Sequence, residues 1–549
     1  MTWWQRCSDT STCGGMPSGR RGPEGRSRRV RRAFLLIVVL VVIALLTLST
    51  TTFTDLMLTR RQATDLLERR AQATAIAESG VAVLRWYLMQ EETARLEQGG
   101  AFDNPTIFQA QPVLLGQSPA HRANFTILTT GIDENGQFGG YRYGLQDEST
   151  RLNLNTVLLA DTVADNGART LLMALPGMTE DVADAILDWI DPDDEPREFG
   201  AESDYYQQLT PAYSAKNGPL DTIGELLLVR GVTPDLLFGV DVNRNGTVDA
   251  HETTGVGGIG GATGAVGSAS ASSVDDPGAE LGWAAYLTLY SQESNRNREG
   301  LPRININQDD LEQLHQELSE VFPADWVTFI IAYRQKGAYE GSDAGEVGVS
   351  AELDLSQSGD TKLTQVIDLI GKKVEIEIDG EQRVLASPFV DGPAAMALYL
   401  PTLMDNVTVN PAPTIPGRIN INQAPRTVLL GIPGMTEEIV DEIIQARIVD
   451  PAQASEDLNR QHETWILAEG IVTLEEMRLL APLICAGGDV FRAQVVGYFE
   501  DGSAAARLEV VIDATSSVPR IVSWKNLTHL GRGYPLDVLG VQLTGMPTP

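Results

Sequence analysis

Cysteine is scarce in this chain. Three cysteines occur among its 549 residues, at positions 7, 13 and 485. The first two precede the long apolar run near the N-terminus, and the third stands alone far downstream. No disulfide framework can therefore stabilise the region after the apolar run. We expect that region to depend on hydrophobic cores and on any metal ions its side chains can bind.

Signatures of catalysis are also missing. The five histidines are scattered, and the sequence has no G-x-S-x-G motif, no zinc-ligand spacing and no phosphate-binding loop. Positive charge is short as well, because 41 Lys and Arg residues face 74 Asp and Glu residues, for a formal net charge of −33. Such a surface repels phosphate groups. The composition therefore predicts neither an enzyme nor a nucleic-acid partner.

The N-terminal end reverses this charge pattern. Eight arginines lie within residues 1–33, and the long apolar run starts immediately afterwards at Phe34. Residues 34–54 carry no charge, and a helix of that length spans roughly 31 Å, enough to cross a bilayer. The positive-inside rule places the arginines in the cytoplasm and the acidic bulk on the other side. The sequence therefore predicts a single membrane anchor.

A cleaved secretory signal is the alternative interpretation of the run. Such a signal has a shorter apolar region that ends in a small-residue cleavage site. Here helical spacing of apolar residues continues well past the run, through Ala77, Val81, Leu84 and Leu88. We therefore expect one continuous helix of some 55 residues, with its first half in the membrane and its second half packed on a domain.

Alternating strand patterns occur at both ends of the region beyond the anchor. The first set lies within residues 123–146 and contains an Asn135-Gly136 turn, and the second set follows Cys485. Alternation of this kind indicates half-buried strands joined by hairpins. Because a long helical stretch separates the two sets, the pattern predicts one sheet domain with a large helical insertion.

A short motif occurs three times in the helical stretch. The sequence reads RLNLNT at Arg151–Thr156 and RININQ at both Arg303–Gln308 and Arg418–Gln423. Alternating apolar residues suit a strand end, and Asn or Thr can cap a helix start. We interpret each copy as a strand-to-helix junction, with Asn155 or Thr156 capping the helix in the first copy.

Two helical hairpins follow these motifs. Residues 171–190 and 429–448 both contain Pro-Gly-Met-Thr before an amphipathic helix. The glycine allows a tight turn, and Thr179 and Thr436 are placed to cap the second helix of each pair. Such hairpins resemble helix-hairpin-helix modules that hold DNA backbone, but the helices are rich in Asp and Glu. We therefore expect a packing scaffold built from internal repeats.

A twelve-residue segment starting at Asp241 matches the EF-hand loop pattern. Oxygen ligands at these spacings, with Gly246 at the sharp turn, are typical of a calcium loop. The alternative is an ordinary polar Asn-Gly turn. The candidate ligands are Asp241, Asn243, Asn245, the Thr247 carbonyl, Asp249 and Glu252. The Gly-rich stretch that follows predicts a lone structural site and not a sensor pair.

A second acidic segment follows the first amphipathic helix. Its sequence, DPDDEP and then GAESDYY, concentrates carboxylates that repel one another unless they are solvated or bound to metal. The spacing alone is equally consistent with a solvated loop. The candidate ligands are Asp191, Asp193, Asp194, Glu202 and Asp204.

Several stretches together resemble a known family. DWIDPDDEPREFGAESDYY carries the likeness most specifically, alongside QDESTRLNLNTV, PAYSAKNGPLDTIGELLLVRGVT and FRAQVVGYFEDG. These segments are similar to protein K of the general secretion pathway, the large minor pseudopilin of bacterial type II secretion systems. Residues 241–310, with the EF-hand loop and its linker, look like additions to the family pattern.

The resemblance implies an α+β protein, in which a pilin-like helix and antiparallel sheet carry a helical insertion of helix-hairpin-helix or SAM-like repeats. It also implies a minor pseudopilin at the tip of a periplasmic pseudopilus, with other minor pseudopilins, the inner membrane and a prepilin peptidase as partners. The peptidase would cut between Ala33 and Phe34. It further implies calcium, Ca²⁺, at the acidic segment.

The resemblance also gives Val38 a meaning. Most pilins carry Glu at the fifth mature position, where it neutralises the terminal ammonium of a neighbouring subunit, and counting from Phe34 this position is Val38. A chain without that carboxylate would enter the filament first.

The alternatives to a minor pseudopilin of a secretion system are a membrane-anchored calcium-binding structural or adhesive protein and a DNA-uptake pseudopilin.

The domain organisation predicted from these patterns has seven segments. They are a basic leader (1–33), an anchor and extended helix (34–95), the first sheet part (96–150), a helical insertion with the acidic and EF-hand-like loops (151–252), a Gly/Ala/Ser linker (253–280), further helical hairpins (281–485) and the C-terminal sheet (486–549).

Overall fold

The computed structural model describes residues 27–249, 252, 280–351, 353–378, 381–454 and 457–541, with the backbone alone for 27–33 and 378. The leader before residue 27 and the linker from 253 to 279 lie outside the described residues. The chain divides into two compact units, with the boundary between Glu68 and Arg69.

The described part of the first unit is helical. It is the first part of α1 (Ser27–Leu88), a helix of 62 residues. From Phe34 onward α1 is long and apolar enough to cross a membrane by length and composition, with a mean hydropathy of 2.8 in its apolar window. The apolar side chains of that window are exposed in the isolated chain, as lipid-facing side chains are. The predicted long N-terminal helix is confirmed.

The remaining α-helices are short. They are α2 (Glu92–Glu97), α3 (Pro105–Phe108), α4 (Gly167–Met173), α5 (Glu180–Ile190), α6 (Ser203–Tyr206), α7 (Pro234–Phe238), α8 (Leu311–Val321), α9 (Ala324–Lys336), α10 (Pro393–Asn406), α11 (Arg426–Leu430), α12 (Glu437–Ala446), α13 (Pro451–Ala454), α14 (Trp465–Ala468) and α15 (Leu474–Leu480). Short 3-10 helices lie between them, including Val157–Thr162, Ile223–Leu228 and Val366–Leu369.

The strands comprise one sheet and several short pairs. They are β1 (Gln111–Leu114), β2 (Ala123–Ile132), β3 (Phe138–Arg142), β4 (Gln146–Asp147), β5 (Leu152–Asn153), β6 (Leu287–Thr288), β7 (Gln292–Ser294), β8 (Ile304–Asn305), β9 (Lys373–Ile378), β10 (Glu381–Ala386), β11 (Val407–Thr408), β12 (Thr414–Pro416), β13 (Ile419–Asn420), β14 (Ile484–Cys485), β15 (Val490–Phe499), β16 (Ala505–Asp513) and β17 (Arg520–Asn526).

The second unit is organised around a seven-stranded antiparallel sheet. Its order is β1-β2-β15-β16-β17, with β3 paired to β2 and β4 paired to β15. β2 precedes the helical stretch and β15 follows it, yet they pair from Ala123 to Leu128. The predicted mixed fold, with an antiparallel sheet interrupted by helices, is confirmed.

The part of α1 from Arg69 onward packs on one face of this sheet. The predicted apolar stripe at Ala77, Val81, Leu84 and Leu88 is buried there. Glycines allow the close approach, because a Cβ on Gly80 would lie 2.6 Å from Val495 Cγ1 and one on Gly497 would lie 2.4 Å from the Ala73 carbonyl oxygen. The backbones of α1 and β15 therefore approach each other closely at these glycines.

The three Asn motifs have equivalent structures. Each begins a short strand that pairs in parallel with a distant two-residue strand, as β5 with β6, β8 with β11, and β13 with β14. In each motif the first Asn side chain accepts the backbone N–H of the second Asn, at 3.0, 3.0 and 2.9 Å for Asn153, Asn305 and Asn420. The three motifs therefore share one local arrangement, while the predicted set of helical-hairpin repeats stays a prediction.

The predicted capping role of the first motif is wrong. Thr156 is the N-cap of a 3-10 helix but makes no side-chain cap bond. The Asn155 side chain instead binds both backbone groups of Leu220, accepting its N–H at 2.7 Å and donating to its carbonyl at 3.1 Å. Asn155 binds the distant backbone of Leu220 and does not cap the helix, because the two backbone polar groups of Leu220 would otherwise be buried without partners.

The two hairpin turns differ in their caps. Gly177 and Gly434 have φ of +68° and +91°, in the left-handed region that favours glycine. Thr436 accepts the Ile439 N–H and caps α12, as predicted. The prediction that Thr179 caps α5 is wrong, because its side chain makes no cap bond; its hydroxyl donates to Asp181 at 2.5 Å.

Candidate metal centres

The acidic segment is positioned by α5 and α6. α5 is buried on nearly every side and ends at Ile190, and the chain then loops out and returns at Glu202, the N-cap of α6. This return brings the carboxylates of Asp191, Asp193 and Glu202 together, with one oxygen of each within 4.8 Å of the others. Of the five candidate ligands in this segment, the structure groups these three and leaves Asp194 and Asp204 outside the group.

Unpartnered oxygens distinguish this cluster from an ordinary polar loop. Glu202 is 4% exposed, and neither of its carboxylate oxygens has a hydrogen-bond partner. Asp191 is also buried, and its Oδ1 has no partner. An ionised carboxylate without partners is costly to bury, so these oxygens require either a proton or a cation.

The electrostatics of Glu202 follow from this geometry. Burial first, and then the neighbouring charges of Asp188, Asp191 and Asp194, together raise the pKa of Glu202 to about 7. Burial likewise raises the pKa of Asp191 above its usual range, although the adjacent Arg197 partly offsets the effect. A divalent cation would replace the proton on Glu202 and relieve the mutual repulsion.

Arg197 and Gly200 hold the loop in place. The Arg197 guanidinium pairs with Asp188 at 3.2 Å and also with Asp191. A Cβ at Gly200 would lie 1.7 Å from Asp188 Oδ2, so the loop can pass this carboxylate only with glycine there. Asp188 therefore orients the loop through Arg197 and is not grouped with the candidate ligands.

Asn217 is a further polar residue at this cluster that we did not predict from the sequence. Its Nδ2 donates to Asp194 at 2.9 Å and to the Asp193 carbonyl, while its Oδ1 is buried without a partner. Its position in sequence, far beyond the acidic stretch, carried no signal of this role. The donor set is entirely oxygen, which fits calcium better than zinc or iron.

The EF-hand loop is closed by bonds between its own groups. Asp241 accepts the N–H groups of Asn245 at 3.2 Å and Gly246 at 2.8 Å. Glu252 accepts the N–H groups of Asn243 and Asp249, each at 3.0 Å. The carboxylate of Glu252, the last candidate ligand, therefore lies against the backbone at both Asn243 and Asp249.

The side chains inside the loop face Asp249. Asn243 and Asn245 donate to Asp249 Oδ2 at 2.8 and 3.2 Å, and Asn243 Oδ1 is buried without a partner. The predicted turn residue, Gly246, has a φ of +81°. The Thr247 hydroxyl donates to Asn245 Oδ1 at 2.8 Å. Burial, and secondarily Glu252, raises the pKa of Asp241, so this loop also concentrates negative charge.

The remaining predicted positions lie in the first part of α1, within the first unit. Phe34 and Val38 are exposed on the apolar part of the helix, and Ala33 lies in the part of α1 whose backbone alone is described. Their predicted roles in processing and assembly stay predictions.

Comparisons with known proteins identify one segment. The family profile "Type II secretion system (T2SS), protein K" matches residues 150–238. The chain is 40% identical over 60 residues to "Putative type II secretion system protein K" of Escherichia coli K12, and 32% identical over 106 residues to "Type II secretion system protein K" of Pseudomonas aeruginosa.

The extent of these likenesses is limited. They cover 11% and 18% of this chain, and the chain spans 18% and 31% of the two relatives. The GspK-GspI-GspJ complex of the enterotoxigenic E. coli type 2 secretion system aligns over 86% of this chain and 98% of the matched chain. Its identity is 12% and its TM-score 0.31, too low to support an inference. The segment that matches the family profile, residues 150–238, contains the acidic cluster, so this part of the chain is similar to type II secretion system protein K.

Proposed function

We propose that this chain is a minor pseudopilin of a type II protein secretion system, with a structural role in protein export. The observation that carries the proposal is the match of residues 150–238 to protein K. It is supported by the arrangement around that segment, since β2 and β15 flank it in sequence and pair with each other. α1 supplies the long N-terminal helix that a pseudopilin needs for filament packing.

The same proposal places the chain in the bacterial inner membrane. The apolar part of α1 would span the bilayer once, and the acidic bulk would lie in the periplasm. Prepilin peptidase would remove residues 1–33, and other minor pseudopilins would be the assembly partners. The missing carboxylate at Val38 supports a position at the pseudopilus tip. The helix-hairpin-helix-like turns then act as packing scaffold, because their acidic helices disfavour DNA.

We further propose that Ca²⁺ is a structural ligand at both acidic loops. The buried, unpartnered oxygens of Asp191 and Glu202 support the first site, with Asp193 as the third carboxylate. The twelve-residue pattern from Asp241 to Glu252 supports the second. The residues hold the ion, and the ion in turn would neutralise carboxylates that otherwise repel one another.

Deletion and complementation test the secretion role. Deleting the gene in its native bacterium should abolish export of the secreted proteins, and the intact chain should restore it. A complementing chain with residues 34–48 replaced by a polar linker should fail, because it cannot enter the membrane. The affinity-tagged chain should also co-purify with the other minor pseudopilins.

The outcome also separates the alternatives. Normal export with loss of surface attachment would favour the adhesive protein, and normal export with loss of DNA uptake would favour the DNA-uptake pseudopilin. Either result would overturn the secretion proposal.

A further inference from the structure

The outer face of the EF-hand loop is bound by the sheet. Three consecutive loop carbonyls accept hydrogen bonds from sheet-domain side chains. Arg507 on β16 donates to the Asn243 carbonyl. Gln494 on β15 donates to the Arg244 carbonyl at 2.6 Å, and the Tyr534 hydroxyl donates to the Asn245 carbonyl at 3.0 Å.

The loop also donates a hydrogen bond to the sheet domain and packs against it. Asn245 Nδ2 donates to the Gly533 carbonyl at 2.7 Å. Gly246 lies against β2, where a Cβ would come within 2.0 Å of Thr130 Oγ1. Arg507, Tyr534 and Asn245 are all buried, so this is a packed interface and not a loose surface contact.

The connection joins two parts of the fold that are distant in sequence. The loop follows α7 directly, at the end of the segment that matches protein K, whereas its partners lie 250 to 289 residues further along the chain. The Asn243 side chain bonds inside the loop while its carbonyl binds the sheet, and the Asn245 side chain bonds both to Asp249 inside the loop and to Gly533 outside it. A change in the side chains inside the loop must therefore move the carbonyls that the sheet binds.

We propose that this loop is a calcium-dependent clasp that fastens the helical insertion to the pilin-like sheet. The inference rests on the proposed calcium binding at the loop. Inside the loop, Asn243 Oδ1 is buried without a partner and is available to a cation. On the outer face of the loop, Arg507, Gln494 and Tyr534 bind the loop carbonyls, so these three bonds depend on the loop conformation. Binding and docking are then linked reciprocally, because calcium strengthens docking by the same factor by which docking strengthens calcium binding.

The test uses the full chain in detergent with Asp193→Asn and Glu202→Gln, which leaves the EF-hand loop as the remaining proposed site. Calcium affinity is measured by calorimetric titration, and hydrogen exchange is followed in β15 and β16. Tyr534→Phe removes the hydroxyl that binds the Asn245 carbonyl but keeps the ring. Loss of one such bond should weaken calcium binding about twofold to tenfold.

Tyr399→Phe is the matched control. The Tyr399 hydroxyl is also a donor from a buried tyrosine, but it binds the Val390 carbonyl within the helical insertion, at 3.1 Å. This variant should leave calcium affinity unchanged. Glu252→Gln provides the reverse experiment, because it should abolish the calcium-induced protection of β15 and β16 against exchange.

Two results would overturn the clasp, and they are distinguishable. If the background chain binds no calcium, the proposed site itself fails. If it binds calcium but Tyr534→Phe and Arg507→Lys match the control in affinity, and calcium does not protect β15 and β16, the site stands and the clasp is wrong.

Discussion

The Arg492 guanidinium forms a two-pronged ion pair with the Glu148 carboxylate, with Nη2 to Oε2 at 3.1 Å. Both side chains are buried, and Thr288 of β6 also donates to Glu148. Arg492 in turn pairs with Glu509 at 2.9 Å. The pair therefore connects β15 to the turn just before the first Asn motif and, through Thr288, to β6, the strand that pairs with that motif.

Glu148→Gln should destabilise the protein strongly. Burial alone would raise the pKa of Glu148, but the charge of Arg492 holds it below its usual value. The substitution leaves a buried arginine with less compensation, which costs on the order of 3–5 kcal/mol. Thermal unfolding measures the effect. Glu346→Gln is the control, because its partner Arg383 is 3.7 Å away at an exposed site, and it should change the melting temperature little.

The calcium-free protein should lose stability between about pH 4.5 and pH 7. The folded state raises the pKa of Glu202 to about 7, chiefly by burial. Its unfolded counterpart ionises near its ordinary value, so rising pH through this window favours the unfolded state. Melting temperatures in chelator across this range should therefore fall, and Glu202→Gln should flatten the decline. An unchanged slope in the variant would contradict the assignment to Glu202.

Calcium should stabilise the protein through two separable loops. Binding to the folded state alone adds about 2.7 kcal/mol at a free concentration of 100 Kd. Extracellular calcium sites fill even with a Kd on the order of 10⁻⁴ M. Glu252→Gln removes the proposed bidentate ligand, so part of the calcium-induced rise in melting temperature should remain. Adding Asp193→Asn and Glu202→Gln should remove the rest. No detectable binding heat at millimolar calcium would leave both loops as polar turns.

Processing should leave Phe34 as the mature N-terminus. The change from arginine-rich to apolar sequence falls there, and Ala33 is small enough for the peptidase. Sequencing the N-terminus of protein extracted from membranes checks this expectation. An intact Met1, or a cut beyond Leu48, would contradict the pseudopilin assignment.

Val38→Glu should alter filament position without harming the fold. Val38 is exposed in the isolated chain, so the substitution breaks no packing contact within it. The new carboxylate would pair with the terminal ammonium of an earlier subunit, an interaction worth much in hydrocarbon. Immunogold labelling should place the wild-type chain at pseudopilus tips and the variant along the shaft. Wild-type label along the shaft would contradict the tip assignment.

Local patterns in the sequence were sufficient to predict the long N-terminal helix and the strand sets at both ends. Each of these features is encoded by spacing between near neighbours, as with Ala77, Val81 and Leu84 along α1. The hairpin turn at Asn135-Gly136 was likewise predictable, because Asn-Gly favours the positive φ that hairpin turns need, and Gly136 has a φ of +74°.

Tertiary structure alone decided what the Asn motifs do. Asn155 and Asn307 bind Leu220 and Leu363, which lie 65 and 56 residues away, and Asn422 binds the carbonyls of Arg460 and Ala486. A side chain can cap a nearby helix or bind a distant backbone, and its own sequence surroundings are the same in either case. The choice depends on which buried backbone groups would otherwise lack partners. For the same reason the sequence did not predict the partners of the EF-hand loop, since Arg507 and Tyr534 are distant in sequence and contact the loop only in the folded chain.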